Sequence, residues 1–152
     1  VSLLGPRYPH GHVFDFVKQL RVNPAKLQVL GDGTQRKSYM HISDCLDAIF
    51  IVAEKKRTAL NAKHNYQLYH LGYPSYIQVI DSIGLICDQM KLNPKLEFSG
   101  GDRGWIGDNP FVFLDISKIQ KEGWKPKYSI DNSIRETTDW LNQNTWILDS
   151  RN

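Results

Sequence analysis

The chain has 152 residues, of which 41% are hydrophobic and 23% are charged, and its formal net charge at pH 7 is +3. This length allows one domain with a buried core, and the composition is typical of a folded protein rather than a disordered one. The charge is lower than that of most dedicated nucleic-acid-binding domains, and no apolar run reaches the ~20 residues of a membrane-spanning helix. Only Cys45 and Cys87 are cysteines. Both fall in helical patterns, so we expect reduced thiols and a cytoplasmic location.

In the first half of the chain, short β-rich runs alternate with helical patterns. A Gly-Pro pair at 5–6 ends the first run, an Asn-Pro pair at 23–24 stops the first helix, and a Gly-Asp-Gly turn at 31–33 separates the next two runs. The predicted elements are strands at 2–4, 27–30 and 38–42 and a helix at 12–20. Ser43 is expected to cap a second helix. The predicted inward face of that helix consists of Leu46, Ile49, Phe50 and Ala53.

The second half continues the alternation. A β-rich run, YQLYHLG at 66–72, precedes a helix that Ser75 is expected to cap, and a short strand at 96–98 leads into a long polar loop. Asp115 is expected to cap a short helix, and a last helix is predicted from about 130 to 142, with Ile130, Ile134 and Leu141 buried. Strands that alternate with helices indicate an α/β architecture. No linker or repeat divides the sequence, so a single unit over 1–152 is predicted.

The run GDGTQRK at 31–37 has the glycines and cations of a phosphate-binding loop, but it matches neither common motif. A P-loop needs four residues between its first glycine and Gly-Lys, and a dinucleotide fingerprint needs a third glycine at a helix start. The residues alone leave two interpretations open. The run either holds a phosphate or forms a turn with solvated charges.

The polar loop SGGDRGWIGDNP offers a second candidate. Arg103 has a planar fork that matches phosphate oxygens, although a surface arginine paired to Asp102 or Asp108 fits the same residues. No histidine is accompanied by cysteines or carboxylates at metal-ligand spacing, and no Gly-x-Ser-x-Gly motif occurs. Neither a metal site nor a catalytic nucleophile is predicted.

Five segments in this order resemble one family: LLGPR, LGDGTQRKSYMHISD, YHLG, GDRGWIGD and DISKIQKEGWKPKYSIDNSIRETTDWL. Together they are similar to the C-terminal half of the extended short-chain dehydrogenases that act as NAD-dependent nucleotide-sugar epimerases and dehydratases. The resemblance implies the last strands of a Rossmann-type sheet and a small α/β substrate-binding lobe, incomplete without an N-terminal, NAD-binding half that we expect to be absent. It also implies NAD as the cofactor of the intact enzyme and a nucleotide-diphosphate sugar, a UDP-sugar, as its ligand.

The resemblance also implies site residues. Lys37 stands where the family has an arginine that binds the diphosphate, and Ser38 replaces the usual aspartate. Arg36 is the alternative cation for that role, although strand alternation would direct it to the opposite face. Arg103 resembles the second diphosphate arginine, and Asp108 resembles an acid that contacts the ribose. The other substrate positions implied by the resemblance are His12, Val13, Gln28, Leu30 and Tyr39, and the positions near the cofactor are Ser2 and Leu3.

The family's glycine-rich cofactor loop and its catalytic Tyr-x-x-x-Lys pair have no counterpart in the sequence, since no tyrosine is followed by lysine four residues later. We therefore expect no catalytic residue here and no turnover by this chain alone. An exposed apolar face, where further strands would pack, predicts self-association or a homo-oligomer. The alternative function is a non-catalytic module that binds RNA or a protein partner. Nucleic acid is not the expected ligand, because basic and aromatic residues do not interleave along one face.

Overall fold

The structure is a computed structural model that describes residues 2–58, 67–104, 107 and 111–150, with only the backbone at 56–58. Its strands are β1 (Ser2–Leu4), β2 (Lys26–Val29), β3 (Arg36–Lys37), β4 (Tyr39–His41), β5 (Ile77–Gln78) and β6 (Lys95–Phe98). Its helices are α1 (His12–Val22), α2 (Ile42–Thr58), α3 (Val79–Met90), α4 (Ser117–Lys121), α5 (Ile130–Gln143) and α6 (Trp146–Asp149). The α/β prediction is confirmed. None of these described helices combines the length and the apolar character that crossing a membrane requires.

The strands form three pairs. β1 pairs with β4 and β2 pairs with β6, both in parallel, whereas β3 pairs with β5 in antiparallel orientation. Parallel neighbours need long crossover connections, and α1 lies within the connection from β1 to β4. The strand predicted at 38–42 corresponds to β4, and β3, which lies just before it, was not predicted. The chain changes its pairing partner at Ser38, from β5 to β1.

A large apolar core lies between the helices and β2. α1 buries one stripe of residues at helical spacing, and α5 buries another, which includes the predicted Ile130, Ile134 and Leu141. Ser129 begins α5, because its side chain accepts a hydrogen bond from the backbone N–H of Asn132. The amphipathic patterns of α1 and α5 were therefore sufficient to predict both helices and their buried faces.

A second core gathers around Trp124, which is 1% exposed. Its buried members are Met40, Ala48, Ile116, Ile119 and Trp124. This core connects β4 and α2 to the segment between α4 and α5. The N-cap residue of α4 is Ile116 and not the predicted Asp115, which lies one residue earlier and whose carboxylate accepts the backbone N–H of Ser117 at 2.9 Å.

α2 differs from its prediction at its start and in its buried face. It begins at Ile42, one residue before the predicted cap. The backbone N–H of Ser43, in the first turn, donates to Nδ1 of the His41 imidazole, so Ser43 is not the cap. The predicted inward residues are exposed: Leu46, Ile49, Phe50 and Ala53. Ala48 is buried instead, because the neighbours of α2 among the described residues pack on that side.

The run predicted as a strand at 66–72 has no regular secondary structure at 67–72, and its first residue lies outside the described part. No described strand pairs with it, and the carbonyl of Leu68 instead accepts a hydrogen bond from the Lys118 ammonium group at 2.6 Å. Ser75 does not cap α3, which begins four residues later at Val79 after the two residues of β5.

Candidate functional site

A cavity of about 1030 Å³ lies along the outer stripe of α1. Its other walls come from β1, β2, the segment from Gln35 to Tyr39, Val79 and Gly104. This volume is at the upper end of the range for small-molecule sites. The cavity is therefore the candidate binding site for the predicted ligand.

The structure brings six of the predicted residues together on the cavity wall. They are Ser2, His12, Gln28, Leu30, Lys37 and Tyr39. Val13 and Leu3 do not line the cavity: the Val13 side chain is fully buried in the main core, and Leu3 packs against the second core. Neighbouring helix residues point about 100° apart, which is why His12 faces the cavity while Val13 faces the core.

Arg103 also stands apart from the cavity wall. Its side chain is exposed, although its backbone passes close to Gly31 and the next residue, Gly104, lines the cavity. Asp108 lies outside the described residues. The assignment of both residues to the substrate stays a prediction.

The Gly31–Gly33 stretch forms the predicted turn. The carboxylate of Asp32 accepts hydrogen bonds from the hydroxyl of Thr34 at 2.7 Å and from its backbone N–H at 2.9 Å. Both hydrogen bonds lower the pKa of Asp32 below its usual value, and the bond from the Thr34 hydroxyl has the larger effect. Gly31 has a φ of +82°, and a Cβ there would lie 1.5 Å from Nε2 of Gln35. The glycine is needed both for the turn and for the space that Gln35 occupies.

A helix does follow this turn in space, although not in sequence. The backbone N–H groups of Val79 and Ile80, at the start of α3, donate to the carbonyls of Gln35 at 3.0 Å and Gly33 at 2.9 Å. The turn thus supplies the hydrogen-bond acceptors that the first turn of α3 needs. Because these two donors are already paired within the chain, they are not available to an anion as the N–H groups of a P-loop helix are.

Gln35 is a cavity residue that the sequence did not single out. It is 9% exposed, and its amide nitrogen donates to the carbonyl of Leu30 at 3.2 Å. Its side-chain oxygen is buried and has no hydrogen-bond partner among the described residues. A buried acceptor without a partner is costly, so this oxygen favours a ligand or water that donates a hydrogen bond.

Arg36 and Lys37 point to opposite sides of β3, as strand alternation predicts. Lys37 is partly buried and lines the cavity. The guanidinium carbon of Arg36 lies 5.3 Å from the ring centroid of Tyr76 and 4.7 Å from that of Phe111. Arg36 is therefore held between aromatic rings by cation–π contacts and does not replace Lys37 in the cavity.

The charges of the wall favour an anion. Three lysines, Lys18, Lys26 and Lys37, and one carboxylate, Asp15, line the cavity. Lys26 also pairs with Glu97 at 2.6 Å. A concave surface with an excess of cations raises the local concentration of anionic ligands.

His12 connects the cavity wall to the core. Its Nδ1 lies 2.5 Å from the hydroxyl oxygen of Tyr39, and its Nε2 lies 2.7 Å from the hydroxyl oxygen of Ser82. Ser82 is fully buried on α3. No signal in the sequence indicated Ser82, because the contact joins residues that are 70 positions apart. Among the described residues, no group of three or more His, Cys, Asp or Glu side chains is placed to hold a metal ion.

Comparison with known proteins finds similarity to one family. A family model described as "NAD dependent epimerase/dehydratase family" matches residues 1–68. The dTDP-glucose 4,6-dehydratase of Xanthomonas campestris is 30% identical over 130 residues, which cover 80% of this chain and 35% of that enzyme. A trifunctional UDP-glucose 4,6-dehydratase of Arabidopsis thaliana, which is also an epimerase and a reductase, is 26% identical over 144 residues, which cover 94% of this chain and 20% of that protein.

Solved structures give the same result for the fold. A UDP-galactose 4-epimerase superposes with a TM-score of 0.79 at 25% identity, over 95% of this chain and 44% of that one. A UDP-glucuronic acid 4-epimerase from Bacillus cereus, solved with UDP-glucuronic acid and NAD, superposes with a TM-score of 0.70 at 21% identity, over 93% of this chain and 43% of that one. The chain thus has part of the Rossmann-like fold of these enzymes and spans less than half of their length. In sequence and in fold, the chain is similar to proteins of the NAD dependent epimerase/dehydratase family.

Proposed function

We propose that this chain is the nucleotide-sugar-binding, C-terminal portion of an NAD-dependent nucleotide-sugar epimerase or dehydratase, and that it acts as a single unit over 1–152. The observation that carries the proposal is the cavity, whose wall unites six of the residues that the family resemblance implies. The excess of lysines on that wall suits a ligand with a diphosphate.

Lys37 is the proposed diphosphate contact. It extends from β3 into the cavity, and the pairing of β3 with β5 fixes the position of its backbone. A lysine provides the positive charge at this position but not the planar fork of an arginine, so we expect one strong contact rather than two parallel ones. Gln35 and Tyr39 add hydrogen-bonding groups on the same wall.

The described residues do not form a complete site for NAD. Of the two positions implied for the cofactor, Ser2 lines the cavity and Leu3 does not, and the sequence contains no Tyr-x-x-x-Lys pair. In the proposed function, other residues of the intact enzyme hold NAD and carry the chemistry, and this chain alone has no turnover.

A cytoplasmic location is also part of the proposal. It is supported by Cys45 and Cys87, which are both free thiols. Cell fractionation tests it.

Replacing Lys37 by alanine tests the proposed contact. The affinity for UDP, measured by isothermal titration calorimetry, is expected to fall about tenfold or more, because a hydrogen bond to a charged group contributes about 1.5–3 kcal/mol. The control is Arg36→Ala, which removes the neighbouring cation from the opposite face of β3. We expect it to change the affinity less than twofold.

Two results would contradict this assignment. Equal losses in the two variants would mean that UDP responds to the general charge of the segment and not to Lys37. If UDP does not bind the wild-type chain and an RNA binds with an affinity that falls steeply with salt, the alternative of a binding module is favoured.

We also propose that the exposed apolar stripe of α2 contacts a second copy of the chain. Leu46, Ile49 and Phe50 are 46%, 51% and 67% exposed. Adjacent large apolar side chains on one helix face are typical of interaction surfaces. Sedimentation velocity is expected to show concentration-dependent self-association that Phe50→Asp weakens. A wild-type chain that stays monomeric at all concentrations would rule this surface out.

A further inference from the structure

Three side chains from three elements form a hydrogen-bonded series between the core and the cavity wall. Ser82 on α3 contacts Nε2 of His12 on α1 at 2.7 Å, and Nδ1 of His12 contacts the Tyr39 hydroxyl on β4 at 2.5 Å. Ser82 is 0% exposed and Tyr39 is 3% exposed. Since a neutral imidazole has one donor and one acceptor, the proton on His12 determines the direction of both hydrogen bonds.

The Ser82 hydroxyl differs from the other buried hydroxyls on helices. Those of Ser133, Thr137 and Thr138 donate to the carbonyl four residues earlier, at 2.7, 2.6 and 2.8 Å. Ser82 makes no such bond, and His12 Nε2 is its hydrogen-bond partner among the described residues. A buried hydroxyl hydrogen without an acceptor costs about 1–3 kcal/mol. Ser82 avoids that cost when it donates to Nε2 rather than accepting from it.

We infer that Ser82 is a positioning residue that holds His12 in the tautomer with its proton on Nδ1, and so makes Tyr39 a hydrogen-bond donor on the cavity wall. When Nε2 accepts from Ser82, Nδ1 carries the ring hydrogen and donates it to the Tyr39 oxygen. Tyr39 then directs its own hydrogen away from His12. In the opposite tautomer, Tyr39 would donate to Nδ1 and offer only lone pairs to other groups.

The donor role of the Tyr39 hydroxyl determines which ligand atoms it can bind. A donor on the cavity wall pairs with an acceptor such as a phosphate or carbonyl oxygen and disfavours an N–H or O–H group at the same position. The inference about the ligand atom rests on the proposed function, whereas the inference about the His12 tautomer does not. Lys37 lines the same cavity, so a ligand oxygen near Tyr39 fits an anionic group.

The tautomer can be measured without a ligand. Two-bond ¹H–¹⁵N correlation spectra of the chain at about pH 8, where imidazoles are normally neutral, distinguish a protonated Nδ1 from a protonated Nε2. We expect the proton of His12 on Nδ1 in the wild type and in Ser82→Thr, which keeps the hydroxyl, and a mixture of tautomers in Ser82→Ala. A wild-type His12 with its proton on Nε2 overturns the inference whatever the chain binds.

The ligand step is tested by calorimetry with UDP. We expect Tyr39→Phe to lose about tenfold in affinity and Ser82→Ala about threefold, with Ser82→Thr close to the wild type. If Tyr39→Phe binds UDP as tightly as the wild type, Tyr39 is not a donor to the ligand. If the wild type does not bind UDP, the proposed function fails, and the spectra alone decide the tautomer.

Discussion

Replacing Asp44 by alanine is expected to lower the free energy of unfolding by about 3 kcal/mol or more. The Asp44 carboxylate is 0% exposed and accepts the backbone N–H groups of Lys127 at 2.9 Å and Tyr128 at 3.1 Å. Alanine would leave both partly buried donors without a partner, and each lost hydrogen bond to a charged group costs about 1.5–3 kcal/mol. Urea denaturation followed by circular dichroism measures the change.

Two further variants make this result specific. Asp44→Asn keeps one carbonyl oxygen, so we expect it to lose about half as much stability. Asp47→Ala is the matched control, because Asp47 lies on the same helix and pairs with the exposed ammonium group of Lys127. Such a surface pair contributes about 0–1 kcal/mol. If Asp47→Ala cost as much as Asp44→Ala, charge rather than the buried hydrogen bonds would explain the loss.

Replacing Trp124 by alanine is expected to cost about 3–5 kcal/mol, the range for a buried tryptophan or phenylalanine. Trp124 is 1% exposed at the centre of the second core, and its indole N–H donates to the carbonyl of Asp44 at 2.9 Å. Its removal leaves a large cavity and an acceptor without its donor. Differential scanning calorimetry and urea denaturation both report the loss.

Trp146 provides the control for this second substitution. It is 60% exposed and makes an edge contact with Trp140, whose ring centroid is 6.2 Å away. Trp146→Ala removes as many atoms but little buried area, so we expect it to cost less than about 1 kcal/mol. Similar losses for both tryptophans would show that the second core does not depend on Trp124.

The helices with a single apolar stripe could be predicted from the sequence, but the buried face of α2 could not. α1 and α5 have one apolar face each, and their periodicity identified it. α2 has apolar residues on several faces, and its neighbours decide which one is buried: Ala48 rather than Phe50. The partner strands also escaped prediction. β3 and β5 have two residues each, too few for a periodic pattern.

The residues of the candidate site could also be predicted only in part from the sequence. Lys37, His12 and Tyr39 were named through the family resemblance, and the structure places them on one cavity. Gln35 stands within the quoted motif, but the burial of its side chain depends on the space left by Gly31. Ser82 had no local signal, since its role depends on how α3 packs against α1.

In a P-loop, one glycine-rich backbone both shapes the fold and binds the phosphate, whereas the turn at Gly31–Gly33 has only the first of these roles. The carbonyl oxygen of Gly33, together with that of Gln35 just after the turn, accepts from the first residues of α3, so this backbone serves the stability of the fold. In the proposed function, the affinity for an anion comes from side chains such as Lys37. A change from arginine to lysine at that position alters the strength and geometry of binding without disturbing the turn. A sequence can therefore diverge at residue 37 in ligand preference while its fold stays the same.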